Sequence, residues 1–306
     1  METRKIGSLD VSIIGLGTNN FGFRMDEADV PAVVDAALEA GVTFFDTADA
    51  YGRSERRLAA ALGARRDDVV VATKFASPLG AGRPGGARPE YIRSAVERSL
   101  RELATDRIDL YQIHRPAPDT PIADTLAALD ELVQAGTVRE IGCSNFSAAQ
   151  LVAADEAVKD GAVRFVSVQN HYNLLHRADD ADVLPTCARL GLAHIPYFPL
   201  ASGLLTGKYR RGESPPEGTR LAAWGDRADA MLSDRNFDLI DRLTAWAEAR
   251  GHTLLELAFA WLLAKPTVAS VIAGATTVGQ AQANAAATWQ LSRDEVAEVD
   301  AITAVS

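Results

Sequence analysis

Cysteine is scarce: Cys143 and Cys187 are the two in 306 residues, too few for a disulfide framework. Long apolar runs are missing as well. The longest, LAFAWLLA at 257–264, falls well short of the ~18 residues that a membrane-spanning helix needs. The opening METRKIGSLDVSIIGLG lacks the apolar centre of a signal peptide, so a reducing cytoplasm is the expected compartment. Blocks of basic charge are absent: 31 Lys and Arg stand against 41 Asp and Glu, a net charge of −10. Such a surface repels phosphates, so neither nucleic acid nor a membrane is an expected partner. No Gly-x-Gly-x-x-Gly follows a strand-like run, which counts against an open-sheet dinucleotide fold. His171, His176, His194 and His252 show no paired ligand spacing, and no metal site is expected.

Apolar residues make up 47% of the chain and charged residues 24%, enough for a full core. The apolar residues fall in eight short runs: SIIGLG at 12–17, TFFD at 43–46, VVVATK at 69–74, IDLYQIH at 108–114, VREIGCSN at 138–145, VRFVSVQN at 163–170, LAHIPYF at 192–198 and VASVIAG at 268–274. Continuous runs of this kind suit strands buried on both faces of a parallel sheet. Helical period appears between them, as in Ile92, Val96, Leu100 and Leu103, or Ile122, Leu126, Leu129 and Val133. Thr120-Pro121 reads as N-cap and first helical residue, Gly136 as a helix stop, and Ser147-x-x-Gln150 as a capping box. Alternation at this spacing predicts one closed α/β barrel over 1–306, with a doubly wound open sheet as the alternative. RKIGSLDVS predicts an N-terminal hairpin. The interval 198–268 carries a Gly/Pro/charge-rich loop at 206–220 and two helical patterns near 235–250 and 253–264, read as an insertion on the barrel.

Barrel enzymes place their chemistry at the C-terminal ends of the strands. Those ends read Asp46, Lys74, His114, Ser144-Asn145, Gln169-Asn170 and Tyr197, and Tyr51 stands five residues past Asp46 in DTADAYG. Each has a bland reading: Asp46 a helix cap, Tyr51 a turn aromatic, Lys74 a solvated lysine, His114 a strand end. A carboxylate, a phenol, an amine and an imidazole at one mouth require four such readings to coincide.

DTADAYG at 46–52, VATKF at 71–75, DLYQIH at 109–114, IGCSNF at 141–146, VQNHYN at 168–173, PYFPLASGLLTGKY at 196–209 and VIAGATTVGQAQAN at 271–284, preceded by GLGTNNFG at 15–22, together resemble the aldo-keto reductase family over nearly the whole chain. The resemblance implies a (β/α)8 TIM barrel with an N-terminal hairpin and extra helices after the seventh strand. It implies a nicotinamide-dependent carbonyl reductase whose catalytic tetrad falls on Asp46, Tyr51, Lys74 and His114. Cofactor contacts carry over onto Gly17, Thr18 and Asn19, onto Ser144, Asn145 and Gln169 for the carboxamide, and onto Tyr197 for stacking on the nicotinamide. The diphosphate falls to Leu200, Ser202, Gly203 and Lys208, and the adenosine end to Gly274, Thr276, Gln280 and Asn284. Relatives place Lys or Arg in that last segment for the 2′-phosphate of NADP(H). Here Gly274 to Gln280 contains no cation, so NADP(H) is favoured while NAD(H) stays open.

Reducing a carbonyl by hydride leaves an alkoxide that must be protonated, and a free phenol, pKa ~10, is a weak acid for the task. Lys74 beside Tyr51 is expected to favour the phenolate, Asp46 to hold Lys74 charged, and His114 to hold the carbonyl oxygen. Two rivals accompany this reading: a Schiff-base lyase using Lys74, and a channel-subunit-like protein with little turnover. Cys143 is expected to be a buried structural thiol. Trp224 reads equally as a pocket wall or a loop anchor. The pocket walls are expected from 18–25, 75–88 and 206–230, and a small-molecule carbonyl compound is the expected partner.

Overall fold

The computed structural model describes residues 1–80 and 85–304, the side chains of Asp226 and Arg227 excepted. Its first two strands, β1 (Thr3–Ile6) and β2 (Leu9–Ser12), form the antiparallel hairpin, with Gly7 at φ +56° in the turn. The eight apolar runs become β3 (Ile14–Gly17), β4 (Phe44–Asp46), β5 (Val70–Phe75), β6 (Ile108–Ile113), β7 (Val138–Ser144), β8 (Ser167–His171), β9 (Ala193–Tyr197) and β10 (Val271–Gly274). All eight pair in parallel in the order β10-β3-β4-β5-β6-β7-β8-β9. The two ends meet where the His194 N–H donates to Thr267 O (2.7 Å) and the Ala269 N–H to His194 O (3.1 Å), closing the (β/α)8 TIM barrel.

Side chains alternate across a strand, so each run splits into an inner and an outer set. The outer set, including Phe45, Val71, Tyr111, Ile141 and Val168, joins the apolar cluster beneath the surrounding helices. The inner set is graded along the axis. Phe44, Val70, Ala72, Leu110, Ile195 and Ile272 fill the lower barrel, where Ile6, Leu9 and Val11 of the hairpin plug it. Two residues further on, the same strands present Asp46, Lys74, Gln112 and Tyr197 toward the mouth. The register pairs Lys74 with Gln112, Ser144 with Gln169 and His171 with Tyr197, so these polar positions form one ring.

The helices are α1 (Asn19–Phe23), α2 (Val30–Glu39), α3 (Ser54–Leu62), α4 (Pro89–Glu102), α5 (Ile122–Gln134), α6 (Ala148–Glu156), α7 (Val183–Leu190), α8 (Asp234–Glu248), α9 (Leu254–Leu263), α10 (Val278–Ala286) and α11 (Arg293–Thr303). Ser147 and Gln150 exchange both hydrogen bonds of the capping box that opens α6, and Gly136, at φ +73°, follows the end of α5. Pro121 sits one place earlier than the sequence suggests: it occupies the cap, and its carbonyl accepts the first helical bond, from Asp124 N–H at 3.0 Å. β8 starts at Ser167 rather than 163 because the Val163 N–H donates to Asp130 Oδ1 of α5 (3.1 Å) instead of to a neighbouring strand. The helices α8 and α9 share one apolar cluster with Val271 and Ala273 of β10, so the segment after β9 is continuous with the barrel wall. Among the described residues no helix is long and apolar enough to cross a membrane. The 75–88 loop expected as a pocket wall includes 81–84, which lie outside the described residues.

Candidate active site

Burial in the barrel forces Lys74 to find acceptors, because an ammonium removed from water without them is very costly. Its side chain is 0% exposed, and its three donors go to Asp46 Oδ1 (2.8 Å), Asp46 Oδ2 (2.6 Å) and the Thr47 carbonyl (2.8 Å). Burial alone would pull the ammonium below its ordinary pKa. Asp46 and Tyr51 overcome that and leave it raised. Asp46 Oδ1 also accepts from Gln169 Nε2 at 2.8 Å. The ion pair is thus fixed from β4, β5 and β8 together.

Tyr51 lies in the turn between β4 and α3, its N–H bonded to Ala48 O and its carbonyl to Ser54 N–H, both at 3.0 Å. Its ring meets His114 edge-on, centroids 5.6 Å apart, and lies 5.2 Å from Lys74 Nζ. Burial raises the phenol above its ordinary pKa. The charge and hydrogen bond of Lys74 pull it down, and Asp46 pushes it up again. The expected acidification by Lys74 is therefore outweighed: desolvation opposes the phenolate, and the carboxylate that holds the cation opposes it as well. Tyr51 is a phenol at neutral pH. Burial, then the positive charges of Lys74 and Arg115, lower His114 to about 3, so its imidazole is neutral.

Gly22 of α1 packs directly on this turn, where a Cβ would lie 1.6 Å from the Tyr51 carbonyl oxygen. Gly22→Ala is expected to cost about 1–3 kcal/mol, the range for overpacking. Urea unfolding checks it, as a lower midpoint at unchanged slope.

Around the rim, Ser144 Oγ donates to Gln169 O (2.7 Å), Asn145 Nδ2 to His114 O (2.9 Å), and Tyr197 Oη to Asn145 Oδ1 (2.7 Å). Asn145 adopts φ +60°, which turns its amide toward the mouth. The Tyr197 ring is stacked on His171 at 5.5 Å, and His171 on His176 at 4.0 Å. These three positions expected from sequence, with Gln169, form one connected arc.

A second group lies after β9. Ala201, Ser202 and Gly203 all have positive φ, folding Leu200 to Lys208 into a tight turn in which the Gly203 and Leu205 N–H groups both point at Leu200 O. A Cβ on Gly203 would lie 2.6 Å from Lys208 Nζ, and its φ of +96° favours glycine, so the turn brings its backbone close to that ammonium. Ser202 Oγ is buried without a hydrogen-bond partner among the described residues. Partial desolvation, then Arg24 and Arg220, push Lys208 below its ordinary pKa, and no carboxylate of the described residues pairs with it. Gly17 ends β3 beside Gly274, whose Cβ position is 3.1 Å from Asn20 Nδ2. Asn20 Oδ1 accepts from Arg220 at 3.0 Å, with Asn19 Oδ1 at 3.4 Å. Thr18 differs from its neighbours: its hydroxyl is fully buried, donating to Asp46 O and accepting from Ser54. Thr277 caps α10, the Gln280 side chain is taken up by Thr276 (N–H at 2.9 Å), and Asn284 is buried at the foot of the same helix.

The sequence reading missed Arg220. It lies over the Phe198 ring at 5.1 Å, and its field reaches Tyr51. Gln112, whose Nε2 lies 3.5 Å from Asp46 Oδ1, was also missed, although its place two residues before His114 on β6 marks it as inward. Trp224 packs edge-on to Phe198 at 6.4 Å and joins the apolar cluster of the segment after β9.

Comparison with known proteins gives the same picture. The Aldo/keto reductase family profile matches residues 13–304. A probable voltage-gated potassium channel subunit beta from Oryza sativa subsp. japonica is 35% identical, over 92% of this chain and 89% of that protein. The L-glyceraldehyde 3-phosphate reductase of Escherichia coli K12 is 30% identical, over 98% and 92%. The solved glycerol dehydrogenase AKR11B4 from Gluconobacter oxydans superposes with a TM-score of 0.85 at 30% identity, covering 98% of this chain and 94% of that one. With a parallel barrel whose mouth gathers Asp46, Tyr51, Lys74 and His114, and a family match over residues 13–304, this chain belongs to the aldo/keto reductase family of oxidoreductases.

Proposed function

We propose that the protein, acting as a single barrel domain, reduces an aldehyde or ketone to the alcohol with NADPH, Tyr51 serving as the general acid. The observation that carries this reading is the Tyr51 ring set between the His114 imidazole (5.6 Å) and the buried Lys74 ammonium (5.2 Å) at the barrel mouth, where burial favours the phenol and the neutral imidazole. The residues after β9 and on the rim fit a nicotinamide dinucleotide. Lys208 and Arg220 are cations without carboxylate partners among the described residues, suited to a diphosphate, and Ser202 Oγ is a buried hydroxyl in need of one. Ser144, Asn145 and Gln169 supply donors and acceptors for a carboxamide, and Tyr197 a face for the ring. When bound, the reduced nicotinamide supplies a hydride to the carbonyl carbon. Tyr51 gives its proton to the carbonyl oxygen as the C–O π pair moves onto it, and regains one from solvent. His114, neutral, holds that oxygen by an N–H, and Lys74 stabilises the phenolate left behind.

Lys74 is held charged by three acceptors, which removes the free amine that a Schiff-base lyase needs. The likeness to a channel subunit leaves the low-turnover reading to experiment. Loss of NADPH absorbance with methyl 4-formylbenzoate, over many turnovers, tests the proposal; cofactor binding without turnover would overturn it.

Lys208→Ala should raise the NADPH dissociation constant by at least about tenfold, the scale of a charge-assisted hydrogen bond. Single-turnover hydride transfer at saturating cofactor should barely change. Without a cation in 274–280, the hydroxyls of Thr276 and Thr277 and the N-terminus of α10 remain for the 2′-phosphate. NADPH should therefore win over NADH by only ~1–2 kcal/mol. Specificity constants for both cofactors at fixed salt decide it, and equal values would show that the preference is lost.

A further inference from the structure

His171, His176 and Tyr197 form a column of rings at the C-terminal ends of β8 and β9. His171 stands two places beyond Gln169, whose amide reaches Asp46 inside the barrel, and Tyr197 two places beyond Ile195 of the inner core. Alternation along a strand therefore turns both side chains to the inner face, at the mouth. The strand register makes them direct neighbours, with ring centroids 5.5 Å apart and planes inclined by only 15°. The His176 ring lies parallel to His171 in turn, at 4.0 Å and 7°.

The middle ring of this column is itself held. The buried Asn173 amide is oriented by two backbone groups: its Nδ2 donates to Phe198 O (2.8 Å), and its Oδ1 accepts from the Leu175 N–H (2.8 Å). The same Nδ2 lies 3.2 Å from His171 Nε2. An amide nitrogen only donates, so Nε2 is the acceptor and the imidazole carries its proton on Nδ1. Burial, then His176, lower His171 to about 4, in keeping with a neutral ring. Tyr197 is fixed less completely. Its hydroxyl donates to Asn145 Oδ1 (2.7 Å), but that bond survives rotation of the ring about its own long axis, for which tyrosine has a broad torsional well. A face contact is what sets the plane, and His171 supplies it. The other ring that meets Tyr197 among the described residues, Phe198, stands nearly perpendicular to it, at 78°.

We infer that His171 is a positioning residue for the cofactor: by stacking on Tyr197 it sets the plane of the aromatic face that receives the nicotinamide ring. Its effect passes through Tyr197. The inference rests on the reductase reading, in which Tyr197 carries the nicotinamide. A phenol ring free to turn must be ordered when the nicotinamide arrives, whereas a ring already held in the stacking plane binds without that cost.

Titration calorimetry with two ligands tests it: NADPH, and 2′-phospho-ADP-ribose, which is the same molecule without its nicotinamide. The readout is the ratio of the two dissociation constants, analogue over NADPH, in the parent, in His171→Leu and in His171→Phe. The parent ratio should exceed one. In His171→Leu, which keeps bulk but has no aromatic face, the ratio should fall by about threefold or more, the scale of one aromatic pair. The fall should come from weaker NADPH binding, with the analogue bound as in the parent. His171→Phe restores a face and should restore the ratio. His171→Asn, a polar change suited to this half-buried position, gives the same comparison should the leucine variant not fold. An unchanged ratio in the non-aromatic variants, equal weakening of both ligands, or a phenylalanine variant that behaves like leucine overturns the inference. A parent ratio of one also overturns it, while turnover of methyl 4-formylbenzoate with NADPH would leave the reductase reading standing. A parent that binds neither ligand overturns that reading and this inference with it.

Discussion

Tyr51→Phe is expected to lower kcat for carbonyl reduction by at least ~10²-fold, the lower end of what a positioned acid contributes. Phenylalanine keeps the ring that meets His114 edge-on and removes the one proton the reaction needs. The NADPH dissociation constant should move little, since the substitution leaves the rim residues and the turn after β9 in place. Near-parent rates in the variant would remove Tyr51 from the chemistry. The parent's pH profile gives an independent reading of the same group. The proposed mechanism needs the phenol protonated, and burial places the Tyr51 pKa above its ordinary value, so activity should decline only on the alkaline side, beyond the ordinary phenol range. With His114 at about 3, no limb from the imidazole should appear between about pH 5 and 9. A limb near 6.5, abolished by His114→Gln, would show that the imidazole titrates in the working range.

How far the site could be read from the chain depends on what kind of information each residue carries. Strand positions were legible because a parallel barrel strand is apolar on both faces, which leaves an unbroken run and makes the polar residue at its end conspicuous. Asp46, Lys74 and His114 stand out in that way. Run boundaries were less legible: VRFVSV looks like strand from Val163, but whether its first amide joins a ladder is decided by Asp130, thirty-three residues earlier. Protonation was not legible at all. The sequence places Lys74 near Tyr51, yet whether its charge or the burial of the phenol prevails depends on Asp46 and on the packing of α1 over the turn. Arg220 shows the same limit in a loop. Arg211, nine residues before it, reaches outward to Asp234, Asp238 and Asp241, while Arg220 turns inward to Asn19 and Asn20. Nothing in TGKYRRGESPPEGTR separates the two, because the difference lies in distant partners.

Asp46→Asn should be among the most destabilising single changes in the barrel. Asp46 is 3% exposed and Lys74 fully buried, and Asp46 Oδ1 accepts from both Lys74 and Gln169. Asparagine keeps one acceptor oxygen and turns a donor toward an ammonium or toward the Gln169 amide, leaving a buried cation without its counter-charge. Breaking a buried pair in this way costs about 3–5 kcal/mol. Lys74→Met should cost a comparable amount, because it strands the carboxylate instead. The double variant Asp46→Asn/Lys74→Met carries neither orphaned charge, so its stability in urea should exceed that expected from adding the two single losses, with an interaction of ~1–3 kcal/mol. Activity should not return with it: without Lys74 the phenolate left after proton transfer has no cation beside it. Additive losses in the cycle would mean that the two residues are held by their surroundings rather than by each other. Recovery of turnover in the double variant would mean that the ion pair serves only to fold the barrel.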